Sequence, residues 1–204
     1  MKHSSQLLIF IFVILFAGCV NETPKVPDYT KMSVDEIIER HYGKPVKIEI
    51  SNISQKQKLE LKRISNYINM SIREIGYVKS IRIVNFKGKR YISFWIGNND
   101  MVSFNSIKFN KISLGRYIFE KYILPAIQHI EKLDKDFENI YGYHFDTGFI
   151  LLKNFVSNGD LSILSYDFYI PSDVLKEYIN YKITNKQLAK KSIILVKNNR
   201  IEIY

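Results

Sequence analysis

Apolar and polar residues repeat with two different periods along the chain, and these periods predict most of its secondary structure. Ile and Leu recur at helical spacing through residues 54–75, with Lys and Arg between them, which predicts an amphipathic helix. Further helices are predicted from Ser33 to about His41 and at 113–140, 171–181 and 185–191. Pro125 should kink or split the 113–140 helix, because proline removes a backbone donor.

Alternation with a period of two predicts the strands, and turn residues separate them. Tyr77–Phe86, Arg90–Ile96 and Met101–Phe109 follow one another across short turns, which predicts a β-meander. Gly148–Val156 and Leu161–Ile170 surround Asn158-Gly159, a strong hairpin signal. The remaining strands are Val46–Ser51 and a C-terminal hairpin of Ser192–Lys197 and Arg200–Tyr204. The predicted fold class is therefore α+β, with a largely antiparallel sheet, helices packed on one face, and a β-meander plus hairpins.

A different pattern occupies the first twenty residues. Lys2 is followed by an uninterrupted apolar run from Leu7 to Phe16, and two small residues come directly before Cys19. A positive segment, an apolar segment and small residues are the three parts of a secretory signal. The apolar run is shorter than the roughly 20 residues that a spanning helix needs, so export is predicted.

Leu15-Phe16-Ala17-Gly18-Cys19 resembles the lipobox of prokaryotic membrane lipoproteins, with Phe16 where that family usually has an aliphatic residue. The resemblance implies that residues 1–18 are removed as a signal peptide and that Cys19 receives a diacylglyceryl thioether. The protein would then be lipid-anchored to the cell membrane and face outside the cytoplasm. An uncleaved N-terminal anchor and ordinary secretion are the two alternatives.

The rest of the chain divides into a linker and one domain. The lipidated cysteine and a polar linker with two prolines occupy residues 19–31, and twelve extended residues span at most about 40 Å. The domain would therefore lie close to the membrane. Residues 32–204 have a suitable length for a single α+β domain, and sub-halves at about 32–110 and 111–204 suggest internal duplication as an alternative.

The composition limits both chemistry and partners. Cys19 is the single cysteine, so the domain has no disulfide, thiolate metal site or thiol nucleophile. Loss of Lys2 with the signal lowers the formal charge from +10 to +9. The net charge that remains is strongly positive and favours anionic lipid headgroups or acidic surface polymers as partners. Most of the positive residues are Lys rather than Arg, the residue that nucleic-acid recognition prefers, so no nucleic acid is expected.

The standard enzyme signatures are absent from the sequence. It has no G-x-S-x-G elbow, no H-E-x-x-H zinc site and no Gly-rich phosphate loop, and no cofactor or metal is predicted. The densest polar cluster is Tyr141–Gly148, where His144 and Asp146 lie two residues apart. On an extended segment they share a face and are candidates for an acid/base pair or for two metal ligands. The alternative is a surface loop between a helix and a hairpin.

The strand Arg90–Ile96 carries large side chains on both faces. One face holds Tyr91, Ser93 and Trp95, and the other holds Ile92, Phe94 and Ile96. If the first face is open, Tyr91 and Trp95 are candidates for a platform that binds sugar or peptide. The alternative is that helices bury both faces. Three N-glycosylation sequons, at Asn21, Asn52 and Asn69, matter only in a host that glycosylates exported proteins.

These observations favour a membrane-anchored, non-enzymatic interaction or structural domain. One alternative is a cell-envelope hydrolase that uses His144 and Asp146. Another is a small-ligand sensor with a pocket between sheet and helices. Convergence of His144 and Asp146 with a third polar group in a cleft would favour the enzyme, whereas an exposed aromatic or basic patch would favour binding.

Overall fold

A computed structural model of the chain describes residues 46–98, 104–105, 110–130, 133, 137, 139–152 and 161–204. All of them belong to one compact unit, Ile38–Tyr204. The signal segment, Cys19, Asn21, the helix predicted from Ser33 and the Asn158-Gly159 turn lie outside the described residues.

The described elements alternate between helices and strand pairs. The strands are β1 (Lys47–Glu49), β2 (Gly76–Phe86), β3 (Lys89–Asn98), β4 (Phe104–Asn105), β5 (Gly142–Leu152), β6 (Leu161–Pro171), β7 (Ile193–Val196) and β8 (Asn199–Arg200). The α-helices are α1 (Gln55–Ile72), α2 (Lys111–Ile118), α3 (Leu124–Ile127), α4 (Ser172–Ile179) and α5 (Asn185–Lys191).

The eight described strands form one mixed sheet in the order β1-β2-β3-β5-β6-β7-β8, with β4 also beside β5. The β1/β2, β3/β5 and β4/β5 pairs are parallel, and the longer β2/β3 and β5/β6 pairs are antiparallel, as are β6/β7 and β7/β8. The predicted α+β fold with a largely antiparallel sheet is confirmed. The third strand of the predicted meander differs, because β4 pairs with β5 and the described residues place β5, not β4, beside β3.

The described helices pack on one face of the sheet. Their buried side chains join a single hydrophobic core with Ile92, Phe94 and Ile96 of β3, which have no exposed surface. A smaller cluster on the opposite face contains strand residues only. We call this opposite face the outer face. The described helices therefore cover only one face of β3. The alternative prediction that helices bury both faces is wrong for these helices, and the prediction of packing on one face is confirmed.

The amphipathic helix α1 begins where its sequence predicts. The Ser54 hydroxyl accepts a hydrogen bond from the Gln57 N–H at 3.2 Å, and the Gln57 side chain accepts one from the Ser54 N–H at 2.8 Å. This capping box satisfies two of the free donors at the helix start. Four of the five residues of the predicted stripe are buried in the core, namely Leu61, Ile64, Ile68 and Ile72. The fifth, Ile75, lies beyond the end of the helix and is half-buried.

The helix predicted at 113–140 changes from α to π winding just before its proline and continues without a break to Ile127. Helix α2 passes into a π-helical segment, Phe119–Ile123, and the Leu124 N–H donates to the Phe119 carbonyl five residues before it. Pro125 supplies no donor in the next turn, and the wider π turn accommodates the missing hydrogen bond. Regular helix ends at Ile127 in the described residues, earlier than predicted.

Candidate functional site on the outer face of the sheet

The outer face is arranged in two rows of side chains that run across the strands. The β1–β2–β3–β5–β6–β7 register places Glu49, Arg82, Ser93, His144, Tyr169 and Ile193 in one row. The next row contains Lys47, Ser80, Trp95, Asp146, Asp167 and Leu195. Since side chains of paired residues lie side by side on a sheet face, the two rows bring polar groups from five strands together.

His144 is the centre of the first row and is 3% exposed. Its Nε2 lies 3.0 Å from Asp167 Oδ1, and its Nδ1 lies 2.8 Å from Ser93 Oγ. An ionised carboxylate only accepts hydrogen bonds, so Nε2 carries the proton that is donated to Asp167. In the neutral ring, Nδ1 then accepts from the Ser93 hydroxyl. Both ring nitrogens are therefore engaged inside the protein.

This Ser93–His144–Asp167 chain has the hydrogen-bond order of a Ser-His-Asp catalytic triad. The burial differs from what nucleophilic catalysis needs, because Ser93 has no exposed surface. A substrate carbonyl must approach the nucleophile to within about 3 Å. The buried hydroxyl of Ser93 does not offer that access, and the chain instead fixes the orientation of the imidazole ring.

Aromatic rings hold the imidazole in place. The Tyr169 ring stacks on His144 with 4.2 Å between centroids and on Phe86 with 4.1 Å. Tyr91 meets the edge of Tyr169 at 5.2 Å. Burial raises the pKa of Tyr169 to about 12, with a smaller contribution from the charge of Asp167. These phenol rings therefore stay neutral and form an apolar support around the polar chain.

The second row contains two carboxylates, Asp146 and Asp167, whose side chains are 22% and 23% exposed. One oxygen of Asp146 accepts from the Ser165 hydroxyl at 3.3 Å, and the other lies 3.7 Å from the Arg82 guanidinium. Burial, and then the charge of Asp167, raise the pKa of Asp146. Two carboxylates with contrasting surroundings therefore meet solvent at the centre of the sheet.

Trp95 lies beside Asp146 in the same row and is 43% exposed. The pairing of β2 with β3 shifts register between Val78 and Ser80, and such a bulge re-aims a side chain. The Lys79 ammonium lies 4.8 Å from the Trp95 ring centroid and 5.8 Å from that of Tyr77. Lys79 thus holds the indole through cation–π contacts.

The sequence-predicted site residues have different outcomes. His144 and Asp146 share the outer face, as their spacing predicts, but the interpretation of Tyr141–Gly148 as a surface loop is wrong, because residues 142–148 belong to the central strand β5. Trp95 is exposed, whereas Tyr91 is only 2% exposed and is not available as a platform. Lipidation of Cys19 stays a prediction.

The sequons also differ in their surroundings. Asn52 is exposed, with a left-handed φ of 57°, and stays a candidate for glycosylation. Asn69 is buried in α1, where its side-chain oxygen accepts a hydrogen bond from the Val78 N–H at 2.6 Å. A glycan on Asn69 is incompatible with this packing. Asn21 lies outside the described residues.

Sequence reasoning missed Arg82, Ser165 and Asp167. Each is a polar residue at an outward position of a strand that is otherwise rich in Ile, Leu, Phe and Tyr. Charged residues in the middle of such strands are unusual because they must be paired when they are partly buried. That contrast is a usable sequence signal, although it does not reveal which residues are partners.

Other concave surfaces lie on the helical side. An open groove of about 890 Å³ is lined by residues of α4, α5 and their connection, with Gln128 and Tyr204. A second groove of about 570 Å³ lies between the end of α1 and the π-helical segment. Neither contains His144 or Asp146. Their walls are formed by helices and the segments that connect them.

No family model matches the chain, and searches of curated proteins and of solved structures found no match. Within the described residues, no three His, Cys, Asp or Glu side chains are arranged to hold a metal ion. No described helix is both long and apolar enough to cross a membrane. Function is therefore inferred from the geometry of the outer face.

Proposed function

We propose that the protein is an exported lipoprotein, anchored through a lipid on Cys19, whose folded domain binds a ligand of the cell envelope through the outer face of its sheet. The lipobox resemblance supports the anchor. The exposed Trp95 beside Asp146 and Arg82, above a rigid buried network, supports the binding face. Binding sites commonly combine an apolar surface with a few well-positioned polar groups.

The single observation that carries the binding proposal is the position of Trp95. A large aromatic side chain that is 43% exposed at the middle of a sheet loses part of the free energy that its burial would contribute, about 25 cal/mol per Å². Tyr and Trp are enriched at interfaces because they offer both apolar area and a polar group. Lys79 and the neighbouring strands hold this indole, so little conformational entropy is lost when a ligand covers it.

The state of His144 favours binding over chemistry. A general base needs a free lone pair directed at the proton that it removes. Both nitrogens of His144 are engaged, by Ser93 and by Asp167, and the ring is covered by Tyr169. The side chain is better suited to hold Asp167 in position than to exchange protons with a substrate.

The binding proposal is tested with the full chain in detergent and with cell-envelope fragments that can be sedimented. Wild-type protein should co-sediment, and Trp95→Ala should reduce the bound fraction several-fold. Tyr181→Ala is the matched control, because Tyr181 is 96% exposed and lies on the helical side. Equal binding by all three proteins would overturn the role of the outer face.

The anchor is tested separately by metabolic labelling with a lipid precursor. Wild type should incorporate the label and Cys19→Ser should not. An unlabelled wild type would overturn lipidation and leave an N-terminal anchor or secretion, without affecting the binding face.

A second candidate function is acid/base hydrolysis by Asp146 and Asp167. The observation that favours it is the raised pKa of Asp146 beside a second carboxylate, since enzymes use carboxyl pairs with separated pKa values as acid and base. In this version Asp146→Asn and Asp167→Asn would each abolish release of a chromophore from aryl glycosides. Absence of any turnover by the wild type would remove this candidate.

A further inference from the structure

We infer that the outer face takes a neutral carbohydrate, a short chain of uncharged sugar rings that packs on Trp95 and hydrogen-bonds to Asp146, Asp167 and Arg82. This inference rests on the proposed binding function and names its ligand class. It is carried by the balance of charges around Trp95 and by the shapes of the polar groups beside it.

The charged groups around Trp95 are balanced in number and largely paired with one another. Between β1 and β6 the two rows and the bulge contain three cations and three carboxylates, namely Lys47, Lys79, Arg82, Glu49, Asp146 and Asp167. Lys47 pairs with Glu49 at 2.7 Å, Arg82 faces Asp146 at 3.7 Å, and His144 hydrogen-bonds to Asp167. An acidic ligand would meet two carboxylates beside the indole, and a basic ligand would meet Lys79 and Arg82. An uncharged ligand avoids both repulsions.

The polar groups beside Trp95 suit hydroxyl groups. Carboxylates offer two acceptor oxygens in a plane, and a guanidinium offers five donors in a fixed fork. Adjacent hydroxyls of a sugar both donate and accept, so one sugar ring can bridge a carboxylate and a guanidinium. Arg82 of the first row and Asp146 of the second already face each other, which presents this combination beside Trp95.

The indole supplies the apolar half of the recognition. Sugar rings present faces of C–H groups, and these pack on aromatic rings while the hydroxyls around the ring edge stay hydrogen-bonded. The Lys79 ammonium lies 4.8 Å from the centroid of the Trp95 ring and fixes the orientation of the indole. Strands lie about 4.8 Å apart, so the five strands from β1 to β6 span roughly 19 Å. This distance suits an oligosaccharide better than a single sugar.

The test uses Trp95 as its own reporter, because it is the single tryptophan of the chain. The full chain in detergent is titrated with a panel of neutral tetrasaccharides: cellotetraose, maltotetraose, mannotetraose and fully N-acetylated chitotetraose. Tetragalacturonate serves as the acidic probe and tetralysine as the basic probe. We expect at least one neutral probe to change the Trp95 emission saturably. Its affinity should be nearly unchanged between about 0.05 M and about 0.5 M salt, whereas charge–charge attraction becomes progressively screened over this range.

Variants locate the contact. Asp167→Asn, which keeps an acceptor for His144, and the surface change Arg82→Gln should each lower the affinity at least about tenfold. Tyr181→Ala should leave it unchanged. Binding of only the acidic or basic probe, weakened by salt, would overturn the inference.

Failure of every probe would also overturn the ligand class. Co-sedimentation of wild type and Trp95→Ala with envelope fragments tests the binding function independently of the ligand class. Sedimentation that depends on Trp95, without binding of any neutral probe, would leave the binding face intact and assign it a ligand of another class.

Discussion

Asp146 and Asp167 lie directly opposite each other on the antiparallel strands β5 and β6, so two carboxylates share the centre of the outer face. Burial raises the pKa of Asp146 most, and the charge of Asp167 raises it further. His144, Ser165 and Arg82 oppose this shift by favouring the ionised form. These neighbours offset the shift only in part, so the pKa of Asp146 stays above that of an aspartate side chain in water.

This relationship predicts a pH dependence of stability. Because the pKa of Asp146 is raised on folding, the folded protein binds this proton more tightly than the unfolded chain. The stabilisation from Asp146 is fully present below its unfolded pKa, about 3.9, and is lost as the pH rises through the folded value. Asp146→Asn removes the effect. Wild-type stability relative to that of Asp146→Asn should therefore fall as the pH is raised from about 3 to about 7.

Urea denaturation at several pH values, followed by circular dichroism, measures this difference. Glu74→Gln is the control, since Glu74 is an exposed carboxylate beside the groove at the end of α1, on the helical side. A difference between wild type and Asp146→Asn that stays constant or grows with pH would contradict the assignment of the raised pKa to burial and Asp167.

The buried chain from Ser93 through His144 predicts strong coupling. Ser93→Ala leaves Nδ1 of His144 buried without its partner, and loss of such a bond costs about 1–3 kcal/mol. His144→Ala also leaves a cavity beneath Tyr169 and should cost about 2–4 kcal/mol. The double variant should be less destabilised than the sum of the two by about 0.5–3 kcal/mol. Denaturant unfolding of the four proteins measures the coupling, and simple additivity would show that the hydrogen bond contributes nothing.

The periodicity of the sequence predicts the elements well where one face alone is buried. Helix α1 follows its stripe and its capping box, and β2 and β3 follow alternation around Lys87–Gly88, a two-residue turn with φ of 49° and 73°. The same rules fail for residues 142–147, because Gly, His and Asp there resemble a loop. Pairing with β3 and β6 on both sides makes them a strand, and that pairing is tertiary.

Partners across the sheet are harder to predict than faces. A two-residue turn at Asn158-Gly159 would place Asp146 opposite Pro171, whereas Asp146 actually lies opposite Asp167. The parallel β3/β5 pairing joins Ser93 to His144 across 51 positions of sequence, with the α2–α3 helical region between them. Local pattern therefore identifies His144 and Asp146 as neighbours, but only the long-range register adds Ser93 and Asp167.

The start of β5 requires a residue without a Cβ at position 142, because the backbone of β6 lies directly against it. A Cβ at this position would lie 2.3 Å from the Ile170 carbonyl oxygen and 2.8 Å from the Pro171 Cα. Backbone atoms cannot rotate away, so β5 and β6 must separate next to His144 and Tyr169. Gly142→Ala should cost about 1–3 kcal/mol or more, in the range of overpacked cores. Thermal denaturation measures it, and an unchanged midpoint would show that the strands separate at this end without loss.

Gly97 predicts the opposite kind of response, because its neighbour is a flexible side chain. A Cβ on Gly97 would lie 2.0 Å from Cε of Lys79, the residue whose ammonium stacks on Trp95. Gly97→Ala should therefore displace Lys79 and change the emission of Trp95, with a destabilisation below that of Gly142→Ala. Lys79→Ala should change the emission in the same direction. In the double variant the added methyl group meets no lysine. The destabilisation caused by Gly97→Ala should therefore be smaller, by at least about 0.5 kcal/mol, in the Lys79→Ala background than in wild type. Equal costs in the two backgrounds would mean that Lys79 does not lie across Gly97, and an unchanged emission in Lys79→Ala would mean that Lys79 does not position the indole.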